Sequence, residues 1–554
     1  MSYTRVIHTN SSLLGCLFII YITFIHVFDA EFIEAQINKK LQKVSNGHNY
    51  VQIENINFSL REWSLQAKNV KLVLHRPNYQ QQHNGMNLPS VRYEFDMAGF
   101  TLDGINLLEF IRNDKIKMNS LVIENPEIGL MMEKNVQPSN NGQEQKDDIS
   151  LHASLAQQLP DIDIQNLQFI NAALAVSFSM LENGEPAEHE IKGINLAFDN
   201  IKVDSISVSD HSRVLFSDDV RLSIDEYEGY SEKGVYYYEF GPITASTKEG
   251  TFNIRDISAT PTISDEEFVE YMEVRTSRMI FDADSISIRD IDYRRLLDYQ
   301  DIIIGHVTVD DFLYDAFTDI NLPRITPTQL PHEMVRELEM YLNIREINLN
   351  SGQIIYAERA EDGARPGTIT LDDTSVQIYN LTNDIEFTTT DKPTRITVNT
   401  KVYGEGELNT DIELALLAPD NPIYFSGKLG QINAQAFNDI LIDLEGVNII
   451  SGVIDSLMFD IQSLDDHATG TVRSAYRNLE IETLDKVDYA RDLGEQITTF
   501  VADDLLLRSS DEDNESSLRE GEVDNEMDRM NDSLLNYLVD SILDGLLSTL
   551  VPVI

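Results

Sequence analysis

Through most of this chain, apolar residues recur at positions 0, 2, 5 and 7 of short units. Copies are Val51, Ile53, Ile56, Phe58; Phe100, Leu102, Ile105, Leu107; and Ile116, Met118, Leu121, Ile123. Further copies are Ile162, Ile164, Leu167, Phe169; Phe252, Ile254, Ile257, Ala259; and Leu342, Ile344, Ile347, Leu349. Steps of two put side chains on one face of a strand; a step of three flips the face unless a bulge or corner absorbs the extra residue. The residues inside that step, Glu54-Asn55, Asp103-Gly104, Asn119-Ser120 and Gln165-Asn166, include the types that accept unusual backbone. The spacing therefore predicts bent strands that keep one apolar face throughout.

Two stretches match without a gap: residues 95–123 correspond to residues 281–309, with apolar residues at eleven shared positions. Phe100, Leu102, Ile116, Met118, Leu121 and Ile123, for example, align with Ile286, Ile288, Ile302, Ile304, Val307 and Val309. An internal repeat of this kind indicates stacked, extended architecture, here an elongated, curved, mainly β sheet of about twenty strands, near 100 Å long. Its apolar face is either the core of a packed sandwich or an open apolar trough, too wide to be filled by its own side chains. For the trough, the candidate lining residues are Ile116, Met118, Leu121, Ile123, Ile302, Ile304, Val307 and Val309.

The two ends differ from this body. Residues 11–30, SSLLGCLFIIYITFIHVFDA, contain His26 and Asp29 as their ionisable members and are long enough to cross a bilayer. A transmembrane anchor is the economical reading, against cleavage after Ala30 or lipidation at Cys16, where the apolar run follows the cysteine instead of preceding it. Arg5 before the segment and Lys39, Lys40 and Lys43 after it do not orient it. Residues 509–526 are strongly acidic and predict a disordered linker. Asp511, Asp513, Glu515 and Glu522 approach the spacing of a calcium loop, but Ser516 stands where that loop needs glycine. Residues 527–551 predict an amphipathic helix with Leu534, Leu538, Ile542 and Leu546 on its apolar stripe and Asp528, Asp532, Asp540 and Asp544 elsewhere. An anionic polar face is the wrong complement for an anionic lipid surface, so docking on the trough or on a partner protein is expected.

Charge then removes function classes. With 42 Lys+Arg against 93 Asp+Glu among 554 residues, the net charge is −51, which excludes a nucleic-acid backbone binder. An apolar fraction of 42% with 22 Tyr and 23 Phe is ample for folded structure, so the acidity reads as a solvated shell. Cys16 is the single cysteine, so the body has neither a disulfide nor a thiol metal site. No phosphate loop, HExxH or nucleophile elbow occurs. His306 with Asp310 and Asp311, and Asp465-Asp466-His467, read as surface and turn residues; Trp63 and Tyr236-Tyr237-Tyr238 read as core and rim aromatics. No catalytic residue, cofactor or metal is expected.

The apolar segment followed by VQIENINFSLREWSLQAKNVKLVL (residues 51–74) and IKMNSLVIENPEIGLMM (residues 116–132) resembles the AsmA-like proteins of Gram-negative envelopes. Residues 341–384, FSGKLGQINAQAFNDIL at residues 425–441 and the segment from Gly470 look like later modules of that family. The resemblance implies a cytoplasmic stretch at residues 1–10, an inner-membrane anchor at 11–30 and a periplasmic β-groove domain over 31–508. It further implies a part in phospholipid transport or outer-membrane homeostasis, with phospholipid acyl chains as ligand. The alternative is a non-enzymatic envelope assembly or scaffold protein with a packed β domain and an acidic surface. Another envelope protein is then the candidate partner of the C-terminal helix.

Overall fold

A computed structural model describes residues 35 and 39, 49–59, 63–74, 91–105, 115–133, 161–179, 187–359 without 205, 232 and 233, 365–483 without 389, 390 and 445, and 518–550. The expected anchor at residues 11–30 lies outside them. Among the described residues no helix is long and apolar enough to cross a membrane. The chain is mainly β, and it divides into two compact units.

Unit 1 comprises residues 1–229 and 242–248. Its described strands are β1 (Asn49–Ser59), β2 (Ser64–Leu74), β3 (Val91–Asp103), β4 (Ile116–Glu133), β5 (Ile162–Ser179), β6 (Ala187–Val203) and β7 (Asp219–Ile224). Of the three short strands that follow, β10 (Ile243–Ser246) belongs to unit 1, β9 (Tyr236–Phe240) to unit 2, and β8 (Tyr227–Tyr230) ends where the chain passes from one to the other. In unit 1 the neighbours run β1 to β7 in chain order, and β7 pairs β10. All of these pairs are antiparallel except β4 with β5.

Unit 2 takes residues 230–241 and 249–554. It contains β11 (Thr251–Pro261), α1 (Asp265–Tyr271), β12 (Arg278–Arg289), α2 (Tyr293–Tyr299), β13 (Ile302–Asp319) and α3 (Pro331–Arg336). Then come β14 (Leu342–Arg359), β15 (Pro366–Thr382), β16 (Thr394–Val402), β17 (Gly406–Leu414), β18 (Ile423–Leu429) and β19 (Ile432–Asn433). α4 (Asn438–Leu444), β20 (Val447–Leu464), β21 (His467–Thr483), β22 (Arg519–Glu526) and α5 (Leu534–Leu550) complete it. Strand β9 pairs β11, and the neighbours then follow chain order to β18, which pairs β20; β21 and β22 follow. The pair β13–β14 is the parallel one.

The two units repeat each other well beyond the matched sequence. Strands β3 to β6 and β12 to β15 share the order antiparallel, parallel, antiparallel, and they share register: Leu102 opposite Leu121 becomes Ile288 opposite Val307. Irregular pairing around Ala172 in β5 recurs around Gly352 in β14. Left-handed backbone recurs as well: Asn69 with Asp256, Gly104 with Asp290, Asn125 with Asp311, Asn171 with Ser351, Gly193 with Asp373, and Asn200 with Asn380. Asn, Asp and Gly tolerate that conformation best; Gly104 and Asp290 follow the last residues of β3 and β12, and the other pairs place a bend within a strand. Of the kink residues expected from spacing, Gly104 adopts it; Glu54, Asn119 and Gln165 sit beside breaks in the pairing instead.

One boundary needs correction. Residues 519–526, expected to belong to a disordered acidic linker, form β22 paired along β21. The acidic residues alternate: Gly521 and Val523 are buried, while Glu520, Glu522 and Asp524 face solvent, so the charge lies on one side of an ordinary strand. Residues 509–517 lie outside the described residues. The helix expected from residue 527 begins at Leu534, after a turn in which Asp528 accepts hydrogen bonds from the Met530 N–H and the Asn531 side chain.

Candidate functional site

The feature that separates this sheet from an ordinary domain core is the purity of its two faces. In unit 2, cross-strand partners Phe252, Ile288, Val307, Ile347, Ile378, Ile396, Ile412, Phe425, Ile461, Gly470 and Val523 stand in one row across β11–β18 and β20–β22. The next residue along each strand points the other way. That row reads Asn253, Ser287, Thr308, Asn348, Gln377, Thr397, Asp411, Ser426, Asp460, Thr471 and Glu522. Hydroxyls on the polar row hydrogen-bond across strands, as Ser287 does to Asn253 at 2.7 Å and Thr397 to Asp411 at 2.8 Å. One face is made for water and the other is not.

Unit 1 builds the same face from Leu65, Leu102, Leu121, Leu167, Phe198 and Val220, followed by Ala67, Phe100, Ile123, Phe169, Leu196 and Leu222. Here Ile116, Met118, Leu121 and Ile123 pair directly with Ile162, Ile164, Leu167 and Phe169, so two copies of the spacing pair in register. In unit 2, Ile302, Ile304, Val307 and Val309 pair with Leu342, Ile344, Ile347 and Leu349 in the same way. All eight candidate lining residues therefore lie on the apolar faces, four in each unit. Met118, Ile123 and Val309 are buried; Ile116, Leu121, Ile302, Ile304 and Val307 are only partly so. The residues next to Met118 are sealed by Phe216, from the segment between β6 and β7, whose carbonyl accepts a hydrogen bond from the Arg213 guanidinium at 3.0 Å.

Along the unit 2 row, burial changes in one direction. From Phe252 to Ile412 every member is partly exposed; Phe425, Ile461 and Val523 are at most 4% exposed. The difference is α5, which lies on β21 and β22 with Leu534, Leu538, Ile542 and Leu546 packed against the core. The approach is close: a Cβ on Gly521 would stand 2.1 Å from the Gly545 carbonyl oxygen. Polar side chains fix the helix, Ser463 with Tyr537 at 2.8 Å, Ser474 with Thr549 at 2.9 Å, and Asn536 donating to the buried Glu358 at 2.9 Å. Burial pushes the Tyr537 phenol up to about 12, so it serves there as a neutral hydrogen-bonding group. Helix α4 adds Leu441, and α3 adds Val335 together with Leu330 just before it, to the same cluster.

The turn before α5 is tied down by Arg529, which donates to Asp466 and Glu333 at 2.7 Å each. Burial opposes ionisation of Glu333, but Arg529 and the Leu330 N–H outweigh it and hold the carboxyl below its ordinary range. Beside it, His332 is fully buried; its Nε2–H donates to the Pro422 carbonyl at 3.1 Å, and burial lowers its pKa.

Among the described residues, none of the titratable sets assembles into a catalytic constellation. His306 projects among Asp290 at 3.2 Å and Glu346 at 3.6 Å on the polar face, an ion-pair arrangement with no nucleophile beside it. Asp465 and Asp466 form the left-handed turn between β20 and β21, and Glu522 is a strand residue of β22. Trp63 is half-exposed at a left-handed turn before β2. Tyr236, Tyr238 and Phe240 line one side of β9, with ring centres 6.4 Å apart. Among the described residues no cluster of His, Cys, Asp and Glu could hold a metal ion. Missed from the sequence was the small and polar stripe Tyr537, Ser541, Gly545 and Thr549, buried against the sheet with the leucines flanking it. Its four-residue spacing was legible, but the leucines masked it.

No protein-family model matches this chain, and no curated protein matches it.

Proposed function

We propose that this protein handles phospholipid in a bacterial envelope, shielding acyl chains along the apolar face of its sheet, without catalysing a reaction. The observation that carries the proposal is the row from Phe252 to Ile412, seven successive strands of apolar side chains left partly exposed among the described residues. A soluble domain normally covers such a face with a second layer. Each methylene moved from water onto it gains about 0.8 kcal/mol, so an acyl chain is held firmly even when partly enclosed. The AsmA-like resemblance and the apolar segment at residues 11–30 support an inner-membrane anchor with the bulk of the chain in the periplasm. The seal made by α5 supports the second reading, an assembly or scaffold protein whose apolar face is closed by its own elements.

Purification in mild detergent followed by lipid mass spectrometry separates the two. Co-purifying phospholipid, together with its loss in a folded Val307→Asp or Leu121→Asp variant, supports lipid handling. Lipid-free protein that unfolds on either substitution supports the packed scaffold.

A further inference from the structure

Where the chain enters α5, two guanidinium groups clamp successive carbonyls, those of Asn531 and Asp532. Arg275 donates from its backbone N–H to the Pro323 carbonyl at 3.0 Å, and from its side chain to the carbonyls of Ile320 at 2.5 Å, Leu322 at 3.1 Å and Asn531 at 3.3 Å. Arg324 donates from Nη1 to the next carbonyl, that of Asp532, at 3.0 Å, and to the Thr328 hydroxyl. Neither makes an ion pair among the described residues, whereas Arg278, Arg295, Arg359, Arg395, Arg473, Arg477 and Arg529 of the same unit all do. In a chain of net charge −51 a pair of part-buried cations without a direct ion pair is unexpected.

The carboxylates within electrostatic reach are engaged elsewhere. Asp319 accepts from Arg359 at 3.1 Å, Glu358 from Tyr356 at 2.6 Å and Asn536 at 2.9 Å, and Asp528 from its own turn. Burial and the neighbouring Arg324 lower the pKa of Arg275 by more than Glu358, Tyr356 and Asp319 raise it. Among the described residues Arg324 makes its hydrogen bonds through Nη1, which leaves the Nε and Nη2 donors of its planar fork for a ligand. The segments that carry the pair also carry exposed apolar side chains, Ile325 at 71% and Met530 at 43%.

We propose that Arg275 and Arg324 form a subsite for a phosphate group, which on the lipid-handling reading above is that of a bound phospholipid whose acyl chains lie on the apolar face. Two guanidinium groups give a phosphate charge-assisted hydrogen bonds, and the carbonyl clamp fixes them in place before the ligand arrives.

The test compares three probes on the full chain: a short-chain phosphatidic acid, the matched diacylglycerol and inorganic phosphate. Phosphatidic acid binds about tenfold more tightly than diacylglycerol, and Arg324→Gln removes that preference while diacylglycerol binding stays unchanged. Arg324→Lys, which keeps the charge but not the fork, retains part of it. Equal binding of the two lipids by the unsubstituted protein overturns the subsite and leaves the acyl-chain reading standing. A preference that survives in folded Arg324→Gln overturns it as well. If neither lipid binds, but inorganic phosphate raises the melting temperature of the unsubstituted protein and not of Arg324→Gln, the anion subsite stands and the lipid reading falls.

Discussion

Isoleucine-to-alanine substitutions along a single row of the sheet report directly where its apolar face is open. Ile347, Ile378 and Ile461 share the row on β14, β15 and β20, but Ile461 is 1% exposed beneath α5 while the other two are only partly buried. Truncation of a sealed isoleucine loses about 2.5 kcal/mol of transfer free energy and leaves a cavity, for a total of about 3–5 kcal/mol. On the open stretch roughly half of the transfer term is at stake and no closed cavity forms, so the cost falls to about 1 kcal/mol. Urea unfolding measures each cost, and native-state hydrogen exchange assigns it to the strand concerned. Equal costs at all three positions would refute the reasoning, because they would mean that the face is covered along its whole length.

Other expectations follow from the helix that seals the row. Gly521→Ala places a Cβ against the Gly545 carbonyl, which cannot give way as a flexible side chain would. It should destabilise the docked helix by about 1–3 kcal/mol, with exchange protection lost first in α5. Tyr537→Phe leaves the buried Ser463 hydroxyl without its 2.8 Å partner and should cost about 1 kcal/mol in chemical denaturation. Backbone and side-chain hydrogen bonds from Met530 and Asn531 hold the Asp528 carboxyl below its ordinary range. A depressed acid stabilises the fold above its unfolded value, near 4, and loses that contribution as the pH falls through the folded value. Asp528→Ala should therefore lower the melting temperature at pH 7, and the difference should shrink on acidification below pH 4; a constant difference would contradict the cause assigned.

Much of this arrangement was legible in the order of residues, because a single layer with one wet face writes its alternation directly into the chain. The spacing of Ile116, Met118, Leu121 and Ile123 marked one face correctly, and the match of residues 95–123 to 281–309 marked strands that do share register. Partner choice was not legible: parallel pairing of β4 with β5 joins segments 46 residues apart, and spacing carries no record of which copy lies beside which. Composition misled at β22, where acidic residues on one side of a strand look like a solvated tether until Gly521 and Val523 are seen to face inward. The bends were misplaced for a related reason. Asn125, Asn171 and Asp311 carry left-handed backbone outside the step of three, and an isolated asparagine in a strand does not announce it. The Arg275–Arg324 pair is assembled from residues 49 positions apart and from carbonyls near residue 531, so nothing local signals it.

Photoactivatable acyl-chain labelling of the full chain tests the central claim most directly, because the two faces alternate residue by residue. The account predicts co-purifying phospholipid and labels on Val307, Ile347 and Ile378, with none on their neighbours Thr308, Asn348 and Gln377. Absence of label from the apolar row, or equal labelling of both faces, would contradict it.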